Sequence, residues 1–165
     1  MPQLADVIDL KSILDTASGN DLVWNRFLTE LTRQLDCDSS VLLVTDQVKR
    51  KNTHFLFSVN IPPEYQEKYE NELNRLDSFN YFLSKNSKTV HYSQTLVDTA
   101  CTKTDASFKP LAGQKYQFGL SIPCNNNHSL NLILSRELAF SDAEQQQFSK
   151  ILQSLPAMES EREGW

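Results

Sequence analysis

The stretch Ser39-Ser40-Val41-Leu42-Leu43-Val44-Thr45 (SSVLLVT) decides the fold. It is short, apolar and rich in β-branched residues, which is the composition of a strand. Asp46 to Asn52 is polar, and Thr53 to Val59 (THFLFSV) returns as a second apolar run. Two such runs around a polar turn predict an antiparallel hairpin. Both are apolar at consecutive positions instead of alternating. A strand of that kind lies in a sheet covered on both faces, or turns one face to a pocket.

Upstream of this hairpin, Trp24, Phe27, Leu28, Leu31 and Leu35 form a stripe at helical spacing, with Asp21 placed to cap it. Leu4 to Ala17 reads as an earlier helix carrying Val7, Leu10 and Leu14, stopped by Ser18-Gly19-Asn20. Downstream, Ile61-Pro62-Pro63-Glu64 opens a helix expected over Tyr65 to Leu76, with Tyr65, Tyr69, Leu73 and Leu76 on one face. Asp77 ends it or caps a short helix over Phe79 to Leu83. Thr89 to Tyr92 reads as extended and Asp105 to Leu111 as helical. Tyr116 to Cys124 and Ser129 to Arg136 are two more strands, with an Asn-rich turn between them. Ser141 and Glu144 have the spacing of a capping box, and the helix they start presents Phe148, Ile151, Leu152 and Leu155 on one face. Strands in hairpins, segregated from helices, predict an α+β domain with an antiparallel sheet flanked by helices. That order resembles the layout of PAS and GAF sensor domains.

The chain has 165 residues, enough for one domain with a real core. We expect that domain over residues 1–156 and a charged tail over 157–165. Nine Phe, five Tyr and two Trp exclude a disordered tail, and four Gly exclude a low-complexity chain. The net charge of −5 argues against a nucleic-acid binder. Three widely spaced Cys, at 37, 101 and 124, suggest reduced thiols. The N-terminus lacks a basic region before an apolar one, and no apolar run is long enough to span a bilayer. The expected location is cytoplasmic.

Phosphate-loop, dinucleotide, nucleophile-elbow and zincin motifs are all missing. Cys124 and His128 have a Cys-x3-His spacing, but it reads as a hairpin turn because no second ligand pair accompanies it. Lys49-Arg50-Lys51 reads as a solvated turn. No cofactor, no metal and no catalytic residue is expected, and the chain is not read as an enzyme. Tyr65 and Tyr69, one turn apart and followed by Asp77, admit two readings. They are ordinary core tyrosines with a capping Asp, or they line a cavity with two hydroxyls and a carboxylate.

The WNRFLTEL helix, the DSSVLLV strand, the IPPEYQEKYENELNRLDSF segment and the closing LNLILSRELAFSDAEQQQFSKILQSLPA together resemble the N-terminal signal-sensing domain of LuxR-type transcriptional regulators. The resemblance runs from Trp24 to Pro156. It implies a PAS/GAF-like domain that binds a small molecule and shifts the regulator's conformation. The alternative is an interaction or dimerisation module of the same fold without a ligand. In the lactone-binding branch of this family a Trp-x3-Tyr pair precedes an Asp, and a further Trp follows. Tyr69 and Asp77 match that Tyr and Asp in type. Tyr65 and Tyr92 fall where the two Trp would be, and Asn131 falls near a small polar residue on the last strand. The resemblance therefore implies Tyr65, Tyr69, Asp77, Tyr92 and Asn131 as ligand-binding positions. The chain stops shortly after Leu155-Pro156, so the helix-turn-helix domain of such regulators is expected to be absent, and with it DNA binding. The apolar faces of the first and last helices predict a homodimer.

Overall fold

The computed structural model describes residues 21–46, 53–71, 78–95, 115–123 and 128–153. In chain order these form α1 (Asp21–Gln34), β1 (Ser39–Asp46), β2 (Thr53–Val59), α2 (Pro63–Asn71), α3 (Ser78–Lys85), β3 (His91–Tyr92) with a short 3-10 turn at Ser93–Thr95, β4 (Tyr116–Pro123), β5 (His128–Arg136) and α4 (Asp142–Gln153). The strands make one sheet in the order β2-β1-β5-β4-β3, antiparallel throughout. The fold is α+β, as expected. The expected helices over Leu4–Ala17 and Asp105–Leu111 lie outside the described residues. So do the stretch from residue 72 to Asp77, the basic turn at Lys49–Lys51, and Cys101 and Cys124.

The sheet is covered on both faces, the first of the two arrangements that the consecutive apolar positions of β1 allow. On the first face Leu42, Leu130, Leu132, Leu134, Phe118 and Leu120 pack against Phe27, Leu28, Leu31 and Leu35 of α1 and Phe148, Ile151 and Leu152 of α4. On the second, Val41, Leu43 and Ile133 pack against Tyr69 of α2, Phe79 and Leu83 of α3, and Ile61. Alternation along each strand divides the residues between the faces. It fails once, in β2. Leu42 pairs with Phe57 and Leu43 with Phe55, which leaves Leu56 as the extra residue of a bulge. The bulge sends Phe57 to the first cluster and Phe55 to the second. Without it, residues two apart would share a face.

The terminal helices are held at their ends by local chemistry. α1 closes with Asp36 in the left-handed region at φ 52°, Cys37 N donating to Thr32 O at 3.0 Å and Asp36 N donating to Arg33 O at 3.2 Å. These are the paired bonds of a Schellman motif. It swings the chain back so that Thr32 Oγ1 meets Ser40 Oγ on β1 at 2.6 Å. α4 opens with the expected capping box: Glu144 N donates to Ser141 Oγ at 3.1 Å, and Ser141 N to Glu144 Oε1 at 3.0 Å. Phe148, Ile151 and Leu152 are buried in this chain's own core. Those three side chains are not free for a second copy, and Leu155, the fourth residue of the expected face, lies outside the described residues.

Candidate functional site

The two faces of the sheet differ in side-chain size. Leu130, Leu132 and Leu134 of β5 and Phe118 and Leu120 of β4 fill the first. The alternate positions, facing α2 and α3, are Ser129, Asn131 and Ile133 on β5 and Gly119 and Ser121 on β4. Cross-strand pairing aligns them in rows: Phe55–Leu43–Asn131–Ser121, and Thr53–Thr45–Ser129. Small side chains in the centre of a sheet let a helix approach closely. At Gly119 a Cβ atom would stand 2.3 Å from the Leu132 carbonyl oxygen and 3.0 Å from Leu83 Cδ1 of α3, so only glycine fits.

A buried polar network joins α3 to this floor. Asn80 Nδ2 donates to Thr45 Oγ1 at 3.1 Å. Asn131 Nδ2 faces Asn80 O at 3.1 Å, Asn80 Oδ1 at 2.7 Å and Ser84 Oγ at 2.9 Å. Ser84 Oγ in turn meets Ser129 Oγ at 2.8 Å. Thr53 Oγ1 donates to Thr45 Oγ1 at 3.4 Å and extends the chain to the edge strand. The backbone carbonyl of Asn80 accepts only, so the amide nitrogen of Asn131 must face it and the amide oxygen must face away. Among the described residues Asn131 Oδ1 and the neighbouring Ser121 Oγ have no hydrogen-bond partner, although both residues are 0 % exposed.

α2 covers the β2 side of the same face. Tyr69 is 3 % exposed and packs edge-on against Phe55 at 5.4 Å, with the half-buried Tyr65 ring 6.3 Å away. Glu70 Oε2 accepts the outward N–H of Phe55 at 2.7 Å, and Gln66 Nε2 donates to Ser58 Oγ at 3.0 Å. The Glu70 bond covers an N–H that the edge strand would otherwise leave free, and the Gln66 bond ties α2 to β2. Of the five positions implied by the resemblance, the structure places Tyr65 and Tyr69 on α2 and Asn131 on β5 beneath α3, all on the same face of the sheet. Asp77 lies outside the described residues, directly before α3.

Tyr92 is not part of this group. It pairs with Phe118 across β3 and β4, which puts it on the opposite face. There its ring stacks on Phe118 at 5.0 Å, and its hydroxyl donates to Gln145 O at 2.9 Å and meets Ser149 Oγ at 3.1 Å. Burial pushes its phenol up to about 12. It fastens α4 to the sheet. Asn80, Ser84 and Ser121 were missed by sequence reasoning. The period-two pattern of SLNLILS in β5 and QFGLS in β4 is the signal that exposes the small polar face.

Burial pushes the Cys37 thiol up to about 12, the reverse of an activated nucleophile. Among the described residues no group of three or more His, Cys, Asp or Glu could hold a metal ion, and no helix is long and apolar enough to cross a membrane.

The fold, a five-stranded antiparallel sheet with helices on both faces, is similar to that of solved LuxR-type ligand-binding domains and GAF domains. The ligand-binding domain of VqsR from Pseudomonas aeruginosa superposes with a TM-score of 0.71 at 17 % identity, covering 94 % of each chain. CepR2 from Burkholderia cenocepacia, an N-acylhomoserine-lactone-dependent LuxR-family transcription factor, gives 0.61 at 12 % identity over 93 % of each chain. The GAF domain of a phosphoenolpyruvate-protein phosphotransferase from Coxiella burnetii gives 0.62 at 10 % identity, covering 96 % of this chain and 92 % of that one. No protein-family model matches the chain, and no curated protein matches it.

Proposed function

We propose that this chain is a non-catalytic, cytoplasmic signal-sensing domain that binds a small molecule between the sheet and the α2–α3 layer. The observation that carries this reading is the polar network beneath α3, whose unpartnered Asn131 Oδ1 and Ser121 Oγ lie beside an aromatic and aliphatic wall. Small-ligand sites combine a mostly apolar lining with a few convergent polar groups, and this face has that composition. A ligand held by α2 and α3 as well as the sheet favours one placement of those helices and so shifts the population of states. In this proposal Tyr65 and Tyr69 supply aromatic wall, Asn131 a polar anchor, and Asp77 a carboxylate at the start of α3.

Titration with N-octanoyl homoserine lactone and with octanol, followed by calorimetry and backbone amide shifts, tests the reading. The expected result is saturable binding of at least one, with shifts concentrated at Leu43, Asn80, Ser121 and Asn131. Absence of binding by both, or shifts confined to the first face, overturns it. For a bound probe bearing an N–H or O–H, Asp77→Asn is expected to weaken affinity by roughly ten- to a hundredfold, the worth of a charge-assisted hydrogen bond. If Asp77 only caps α3, Asn replaces it at little cost and affinity does not move.

The homodimer belongs to the same proposal, and it now rests on the apolar positions Val7, Leu10 and Leu14. Light scattering is expected to give twice the chain mass, and Leu10→Asp with Leu14→Asp to halve it. A monomeric wild type at high concentration overturns the dimer.

A further inference from the structure

Two buried side-chain atoms that lack a partner among the described residues, side by side, are costly, at roughly 1–3 kcal/mol each when left dry. Asn131 and Ser121 are direct cross-strand partners, and both are 0 % exposed. The rest of the network shows why they do not satisfy each other or their neighbours. Asn131 commits its amide nitrogen to Asn80 and Ser84. Ser84 and Ser129 hold one another at 2.8 Å, and Asn80 reaches Thr45. What remains is one amide oxygen, which can only accept, and one hydroxyl, which can donate or accept.

We infer that Asn131 Oδ1 and Ser121 Oγ form a subsite for a ligand hydroxyl. The inference rests on the sensing reading above and names the chemical class that reading leaves open. A group that bridges the pair must donate to Asn131 Oδ1 and must either accept from Ser121 Oγ–H or donate a second proton to Ser121 Oγ. A hydroxyl donates and accepts from a single atom. A carbonyl or ether oxygen cannot donate, and the single N–H of a secondary amide cannot serve both atoms. An NH2 can, but an ammonium brings a buried charge and a primary amide a carbonyl that must also be satisfied, so a hydroxyl fits at the least cost. The flanking positions suit the remainder of such a molecule. Leu43 and Phe55 continue the same cross-strand row away from Ser121, and Tyr69 packs on Phe55 at 5.4 Å, so an aliphatic chain leaving the hydroxyl along the row meets apolar surface.

The test compares octanol with methyl octyl ether, which share the chain and differ in the O–H. Calorimetric titration of the wild-type protein is expected to show octanol binding about tenfold more tightly, the value of one well-made buried hydrogen bond. In Ser121→Ala the ratio is expected to fall to about twofold or less while the ether's own affinity is unchanged. Equal affinities in the wild type show that the pair holds only solvent and overturn the inference, with the sensing reading intact. A wild-type ratio that Ser121→Ala leaves unmoved also overturns it, because the hydroxyl is then received elsewhere. Failure of octanol, the ether and N-octanoyl homoserine lactone all to bind removes the sensing reading and the subsite together. The wild-type comparison stands alone should Ser121→Ala fail to fold.

Discussion

Arg136 is a charged side chain brought into the first face's core, and everything around it serves to make that tolerable. Its Nη1 and Nη2 donate to the two carboxylate oxygens of Glu144 at 2.8 and 2.6 Å, while Nε and Nη2 donate to the carbonyls of Leu138 and Ala139 at 2.8 Å. The guanidinium lies 4.2 Å from the centre of the Phe140 ring. A bidentate pair with two further guanidinium donors bonded to carbonyls is the geometry in which a buried ion pair holds. The Arg136 hydrogen bonds, with those from Ser141, pull the Glu144 carboxyl down from 4.5 to about 2. A depressed folded-state value means that Glu144 stabilises the fold fully above pH 4.5, and that the contribution fades as pH falls from there toward about 2. Glu144→Gln is therefore expected to lower Tm clearly at neutral pH, and the gap to wild type to narrow as the melts are moved from pH 4.5 toward pH 2. A gap that stays constant with pH counts against the pair as its source.

The helices and strands show where the sequence was readable and where it was not. β2 has the bounds that its β-branched, aromatic composition marks, Thr53 to Val59. Its bulge at Leu56 was not readable, because one extra residue is defined only against a partner strand. The same dependence on pairing applies to Tyr92: its position relative to Phe118, and not its type, decides its face. Asn131 is implied by family resemblance, while no motif in the sequence singles out Asn80, Ser84 and Ser121, because only the topology puts α3 over β4 and β5. Gly119 belongs with them. Its absent side chain is what lets Leu83 settle against the sheet, so Gly119→Ala must push either the Leu132 backbone or α3 aside. We expect a loss of about 1–3 kcal/mol, the usual cost of overpacking a tight core. Amide exchange should accelerate in α3 and β4 ahead of α1, since the clash is confined to the second face. A variant as stable as wild type, with α3 equally protected, would contradict that close approach.

At the scale of the whole molecule, the sheet separates two kinds of packing. The face under α1 and α4 is filled with large aliphatic and aromatic side chains, with Phe118, Phe140 and Phe148 in mutual ring contact at 4.8 to 6.1 Å. The face under α2 and α3 sets a smaller apolar cluster, Val41, Leu43, Ile61, Tyr69, Phe79, Leu83 and Ile133, beside small and polar residues tied by side-chain hydrogen bonds. Opening the second face therefore separates less apolar surface than opening the first. That division also bears on DNA. Specific duplex binding needs a helix presented to the major groove and a cationic surface that releases counterions. Here 16 Lys and Arg face 21 Asp and Glu, a net charge of −5. The helices with described buried residues each lay an apolar side against the sheet: Leu28 and Leu31 of α1, Tyr69 of α2, Leu83 of α3, and Phe148 and Leu152 of α4. None of the four can enter a groove by that side without unpacking a face of the core. Lys49-Arg50-Lys51 is a short basic run, and a few phosphate contacts give weak, sequence-independent attraction that fades as salt rises. The expected outcome is that this chain alone retards no short duplex in a sequence-dependent way, at low or physiological salt, and that any weak shift at low salt disappears when Lys49, Arg50 and Lys51 are replaced by Gln. Retardation that distinguishes one duplex sequence from another would show a reading surface on this chain and refute the expectation.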